Sequence, residues 1–199
     1  MTAANPFTPD SALQELKEGN QRFMDNKLRL HYHKEKARRA KLASIGQTPL
    51  AAILTCSDSR VPSELLFDQG FGDLFIVRVA GNILGETEVG SLEYAVEHLG
   101  VPLVVVMGHT KCGAVLAAVD GFEAPGALGW LLERLKPAAL SVANLPDDQK
   151  GEAAIMKNVE LAVSRLTSIS PVMANAVREG RAKVIGAMCH IEDGRVVFH

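Results

Sequence analysis

No run of about 20 apolar residues, the length needed to cross a bilayer, occurs in the 199-residue sequence. Residues 1–10 also lack the basic lead and apolar stretch of a secretory signal. These two absences predict a cytoplasmic protein that has no membrane partner. Charge of one sign is scarce as well: Lys and Arg total 21 against 23 Asp and Glu, a net charge of -2, which gives no electrostatic reason to invoke nucleic acid. Cysteine is too sparse, and odd in number at three, for a disulfide framework, so each thiol needs its own explanation. There is no internal repeat, no low-complexity linker and no glycine-rich phosphate loop after the first apolar run. Solenoids and the commonest nucleotide sites are thereby set aside.

What remains is ordinary globular usage, 47% hydrophobic and 22% charged, in a chain long enough for one core with appended segments. Residues 1–45 read as a helical arm: Leu13, Leu16 and Phe23 share one stripe after a start near Ser11. The basic cluster His31, His33, Lys34, Lys36, Arg38, Arg39 and Lys41 reads as a solvated helix face. Residues 46–199 read as a single α/β domain. Nearly continuous apolar runs at 50–54, 74–79, 101–107 and 183–188 alternate with helical patterns at 61–67, 86–99, 113–119 and 152–179, the last interrupted at Pro171. That alternation predicts a mostly parallel sheet of four strands covered by helices on both faces. Asp193-Gly194 predicts a hairpin that adds an antiparallel edge strand, and the composition of residues 121–128 and 144–151 predicts loops.

Ligands collect at the carboxyl ends of strands in such sheets. The first run leads into Cys56-Ser-Asp58-Ser-Arg60, and the third into His109-Thr-Lys-Cys112-Gly113. Two thiols and an imidazole form a zinc ligand set that leaves a fourth position open, the mark of a catalytic site. Cys112, at the start of the helical pattern from Gly113, is further biased towards thiolate by the helix dipole. Taken singly, a strand-end cysteine is most often a small buried hydrophobe, and His-x-x-Cys alone is a weak signal. Cys189 reads as a core thiol of that kind. Asp58 and Arg60 form either an exposed ion pair of little worth or, beside a metal, a bidentate pair that keeps Asp58 ionised and able only to accept a hydrogen bond.

Together these motifs resemble the β-class carbonic anhydrases. The resemblance runs through Gln47-Thr-Pro49, Arg60-Val-Pro62, Phe75-Ile-Val-Arg78, Ala80-Gly-Asn82, Leu92-Glu-Tyr94 and Gly108-His-Thr-Lys-Cys-Gly113, and is dense over residues 45–120. It implies reversible hydration of carbon dioxide to bicarbonate and a proton by zinc-bound hydroxide, with one zinc per chain on Cys56, His109 and Cys112. Asp58 and Arg60 would manage the bound water. Gln47, Gly113, Phe75, Tyr94 and Ala80 would contact substrate, with Phe75 and Tyr94 supplied by a partner subunit of a homodimer or homotetramer. Ile53, and the distance of the single Trp130 along the chain, imply the open, water-bearing form without the bicarbonate-regulated site of one subgroup, although Arg78 is shared with it.

Three alternatives stand beside this reading. The same fold and metal could hydrolyse carbonyl sulfide or carbon disulfide. A non-enzymatic zinc-stabilised module would need a fourth protein ligand, for which only Asp58 has suitable spacing. A redox protein would close Cys56 and Cys112 into a disulfide. The proton shuttle is left open among His31, His33, His98, His190 and His199.

Overall fold

The computed structural model describes residues 5–29 and 35–199. A five-stranded sheet in the order β2-β1-β3-β4-β5 forms its centre. The strands are β1 (Ala51–Thr55), β2 (Leu74–Arg78), β3 (Leu103–His109), β4 (Lys183–Cys189) and β5 (Val196–Phe198). The first four are parallel, and β5 turns back antiparallel on β4, as the alternation of runs and the Asp193-Gly194 turn predict. Every residue of β1 and β3 is buried, because parallel strands at the centre of a sheet are covered on both faces.

Eight helices among the described residues surround the sheet: α1 (Pro9–Met24), α2 (Glu35–Ile45), α3 (Ser63–Leu66), α4 (Glu86–Glu97), α5 (Gly113–Val119), α6 (Gly126–Ser141), α7 (Asp147–Ile169) and α8 (Pro171–Arg178). The pleat sends alternate side chains to opposite faces. Ile53, Val105 and Met107 meet Leu16, Phe67, Val115 and Leu135 on one face, while Ala52, Leu54, Val104 and Val106 meet Leu92, Val96, Leu166 and Met173 on the other. Helix α1 starts two residues before Ser11, because Thr8 caps it by accepting from Ser11 N and Pro9 takes the first turn, where a missing N–H costs nothing. Pro171 divides α7 from α8 as expected, with Ser170 capping the second helix through Met173 N.

Two expected loops are shorter than their composition suggests. Residues 121–128 are loop only as far as Pro125, where α6 begins, and α7 takes over from Asp147. The glycines and Pro137 of α6 read as helix breakers, but its buried Leu132, Leu135 and Ala138 form a stripe against the core, and tertiary packing overrides propensity. The basic cluster of α2 is described only from residue 35 onward, so His31 and His33 lie outside the described residues.

Helix α1 is tied to the far end of the chain. Asn20 is buried; its Nδ2 donates to Leu66 O at 3.0 Å and Gly194 O at 2.8 Å, and its Oδ1 accepts from Val196 N at 2.9 Å. Gly19 permits the approach, since a Cβ there would stand 1.9 Å from Phe67 O.

The strand order also fixes where a site can form. From β1 the chain moves outward to β2 and then returns to β3 on the other side of β1. The loops leaving β1 and β3 therefore part in opposite directions, and the crevice between them is the usual ligand position of doubly wound sheets.

Candidate metal centre

Cys56 follows β1, His109 ends β3, and Cys112 caps α5. All three are buried, and their ligand atoms lie within 4.8 Å of one another. The two sulfurs are 4.0 Å apart. Tetrahedral zinc with Zn–S bonds near 2.3 Å would separate them by about 3.8 Å, so the thiols already stand close to a shared ion's spacing. The turn that brings Cys112 back towards His109 places Lys111 at φ 56, a left-handed conformation that costs a non-glycine residue about 1 kcal/mol.

The donor chemistry also fits a metal. His109 Nδ1 lies 2.8 Å from Thr110 O, which assigns the N–H to that nitrogen and leaves a lone pair on Nε2. That Nε2 is buried without a hydrogen-bond partner, an arrangement expected of a metal ligand whose other nitrogen fixes its orientation. Burial alone would push the imidazolium down, but Cys56, the Thr110 carbonyl and Asp58 together raise it. The hydrogen bond from Cys112 is the main cause that draws the Cys56 thiol down, helped by His109 and by Gly81 N–H at 3.3 Å. Cys112 is pushed up by Cys56 and by burial. The amides of Ala114 and Val115 act in the direction expected of a helix start, but the neighbouring thiolate outweighs them. In the metal-free pair the two sulfurs titrate together, so one thiolate charge is shared by the pair.

Asp58 and Arg60 form the bidentate pair. Arg60 Nε donates to Oδ1 at 2.9 Å and a terminal guanidinium nitrogen donates to Oδ2 at 2.7 Å. These bonds from Arg60 hold the Asp58 carboxyl well below the usual carboxylate range. Asp58 Oδ2 faces His109 Nε2 at 3.9 Å, too far for a hydrogen bond. Arg78 secures the same loop from β2, donating to Cys56 O at 3.1 Å and Asp58 O at 2.5 Å.

The other predicted residues divide into two groups. Ala80 lies in a single 3-10 turn (Ala80–Asn82) beside Gly81, and Gly113 opens α5 next to Cys112. Gln47, Phe75 and Tyr94 are not at this crevice. Gln47 is exposed and precedes β1, whose five residues put about 13 Å between its two ends. Phe75 is opposite Ala52 in the sheet register, about 13 Å back along β1 from Cys56, and stacks on the half-exposed Tyr94 with centroids 6.2 Å apart. Among the possible shuttles, His98 stacks on Tyr94 at 5.2 Å, and His190 N donates to Arg195 O at 2.8 Å in the hairpin.

Sequence reasoning missed the residues behind the ligands. Glu192, on the β4–β5 hairpin, accepts from Thr110 Oγ1 at 3.0 Å and pairs with Lys111 Nζ at 2.9 Å, and Thr110 Oγ1 accepts from Ile191 N. The hairpin thus grips the turn between His109 and Cys112, and Lys111 holds the Glu192 carboxyl down to about 2. No local signal marks a contact made from 82 residues away.

A sequence profile described as carbonic anhydrase matches residues 51–196. The carbonic anhydrase of Mycolicibacterium smegmatis is 41% identical, covering 94% of this chain and 92% of its own length. Carbonic anhydrase 2 of Mycobacterium tuberculosis is 38% identical over 96% and 92%. Among solved structures, a tetrameric β-carbonic anhydrase from Sordaria macrospora superposes with a TM-score of 0.76 at 28% identity, covering 83% of this chain and 87% of that one. The Coccomyxa β-carbonic anhydrase bound to acetazolamide gives 0.73 at 26% identity over 94% and 85%.

Proposed function

The chain belongs to the β-carbonic anhydrase family, and on that premise we propose that it converts carbon dioxide and water reversibly to bicarbonate and a proton at a zinc ion held by Cys56, His109 and Cys112. The observation that carries the reading is the convergence of these three buried ligand atoms, within 4.8 Å of one another, at the crevice beside an ionised Asp58. A bound zinc would supply Lewis-acid activation of water at the open fourth position.

The chain's own residues do the rest. Arg60 keeps Asp58 charged and fixes both carboxylate oxygens, so Asp58 can only accept a hydrogen bond and orients the attacking water's lone pair. The Arg60 pairing supports the open form, with Asp58 as acceptor and not as a fourth ligand. Thr110 O keeps the His109 tautomer fixed. The N–H of Gly113 is a donor for bicarbonate oxygen, and Ala80 forms part of the pocket wall.

Gln47, Phe75 and Tyr94 stand away from their own crevice, which supports their action in the site of a second copy. A homo-oligomer follows, as in the tetrameric Sordaria enzyme, and light scattering distinguishes dimer from tetramer. Residues 1–45 are proposed as the arm and 46–199 as the catalytic body. No described helix is long and apolar enough to cross a membrane, in keeping with a proposed cytoplasmic location.

The test is zinc content of the reduced protein together with carbon dioxide hydration and sulfide release from carbonyl sulfide. About one zinc per chain, with hydration blocked by acetazolamide, is the expected result. Sulfide release without hydration would move the reaction to carbonyl sulfide, and a metal-free protein that readily links Cys56 to Cys112 would make it a redox protein.

A further inference from the structure

One buried polar side chain behind the metal centre belongs neither to the ligands nor to the sheet. Asn158 lies in the interior of α7 and is 6% exposed. Asparagine is a modest helix former, and its amide is costly to bury without a partner. Its Nδ2 donates to Gly81 O at 2.8 Å. Gly81 in turn donates its own N–H to Cys56 Sγ at 3.3 Å.

Gly81 is held from two sides. Its φ of 68 favours glycine, and a Cβ there would stand 3.0 Å from a Leu135 methyl of α6 and 3.5 Å from Ala114 Cβ of α5, so the peptide packs closely against both helices. Asn158 secures the opposite, carbonyl side. Without that bond the glycine, the residue with the most conformational freedom, has nothing else among the described residues to hold its carbonyl direction. A relay therefore runs from α7, through one glycine, to a sulfur after β1, spanning 77 residues in its first step and 25 in its second.

We propose that Asn158 is a positioning residue of the metal centre, fixing Gly81 so that its N–H stays aimed at Cys56 Sγ and draws charge from that sulfur. The inference rests on the reading of Cys56 as a metal ligand. Two thiolate sulfurs donate more charge to a metal than two imidazoles would, and an N–H bond to one of them tempers that donation. Partners behind the ligands tune metal sites in this way.

The experiment uses the whole chain loaded with cadmium-113, cobalt(II) or zinc. In the cadmium protein the Gly81 amide proton is expected to show scalar coupling to the metal through Cys56 Sγ. Asn158→Leu fills the space without a donor, and Asn158→Ala removes the donor with most of the side chain. In both, the coupling should vanish, the sulfur-to-cobalt charge-transfer band should move to lower energy, and zinc affinity measured by chelator competition should weaken about tenfold. Absence of the coupling in the unaltered protein overturns the proposal whether or not the variants fold. An unmoved cobalt band in a folded variant also overturns it, even if that variant melts earlier, because packing alone would then account for Asn158. A protein that binds none of the three metals overturns the metal-centre reading itself, and this inference with it.

Discussion

Two strand ends of the same sheet, those of β1 and β4, carry the same residue type in different surroundings. At the carboxyl ends of β1 and β3, Cys56 joins His109 and Cys112. One strand further, at the end of β4, Cys189 is the register partner of His109 and equally buried, yet it is not part of the ligand cluster found among the described residues. The difference is topological. Between β1 and β3 the chain changes direction and leaves a crevice, whereas beyond β4 it folds straight back as a hairpin: Thr110 N donates to Cys189 O at 2.9 Å, and Gly194 N donates to His190 O at 2.7 Å. Burial pushes the Cys189 thiol up to about 12, while its counterpart after β1 is drawn down by a second thiol. Burial of a cysteine therefore says little until the path of the chain beyond it is known.

The largest break in this contrast is Cys112→Ala, which should leave almost no zinc on the protein and abolish hydration, as metal analysis and a stopped-flow assay would record. Retention of both would show that the ligands are misassigned. Asp58→Ala separates metal binding from chemistry: zinc content stays near wild type, while hydration falls by about a hundredfold or more.

Glu192→Gln probes the hairpin's grip from the Cys189 side of the boundary. Zinc affinity should drop by up to about tenfold with the fold intact by circular dichroism. Because the Glu192 carboxyl is depressed to about 2, the clamp is present above the ordinary carboxylate range and is lost as pH falls through its folded value. The gap between wild type and variant in urea unfolding of the metal-free protein should accordingly narrow with acidification.

Cys189→Ala should have the smallest effect, with zinc and activity unchanged and about 1 kcal/mol lost in urea unfolding. The raised thiol stabilises the fold fully below its unfolded value near 9, and that stability is lost as pH rises through about 12. Wild type should therefore weaken over this window more than the variant does.

Much of this architecture is legible in the sequence because its signals are local. Unbroken apolar runs mark β1 and β3, Asp193-Gly194 marks the hairpin, and Pro171 marks a helix boundary. Cys56, His109 and Cys112 can be placed for the same reason, each standing directly after or at the end of such a run. What escapes depends on contact between distant segments. Helix α6 begins inside residues 121–128, whose composition reads as loop, and its fit against the core through Leu132, Leu135 and Ala138 offsets Gly129 and Pro137. Glu192 and Asn158 look like ordinary polar residues until the hairpin reaches Thr110 and α7 reaches Gly81.

The fastening of Asn20 to Gly194 and Val196, across 174 and 176 residues, bears on how the protein is made. Synthesis runs from the amino end, so α1 emerges long before the hairpin that completes its docking surface. Until those last residues leave the ribosome, the Asn20 amide and the apolar stripe of Ala12 and Leu16 lack part of their cover, and contacts so remote in sequence are slow to close. Helix α1 is thus made well before it can be locked in place, and the nascent chain waits with that surface open to other chains.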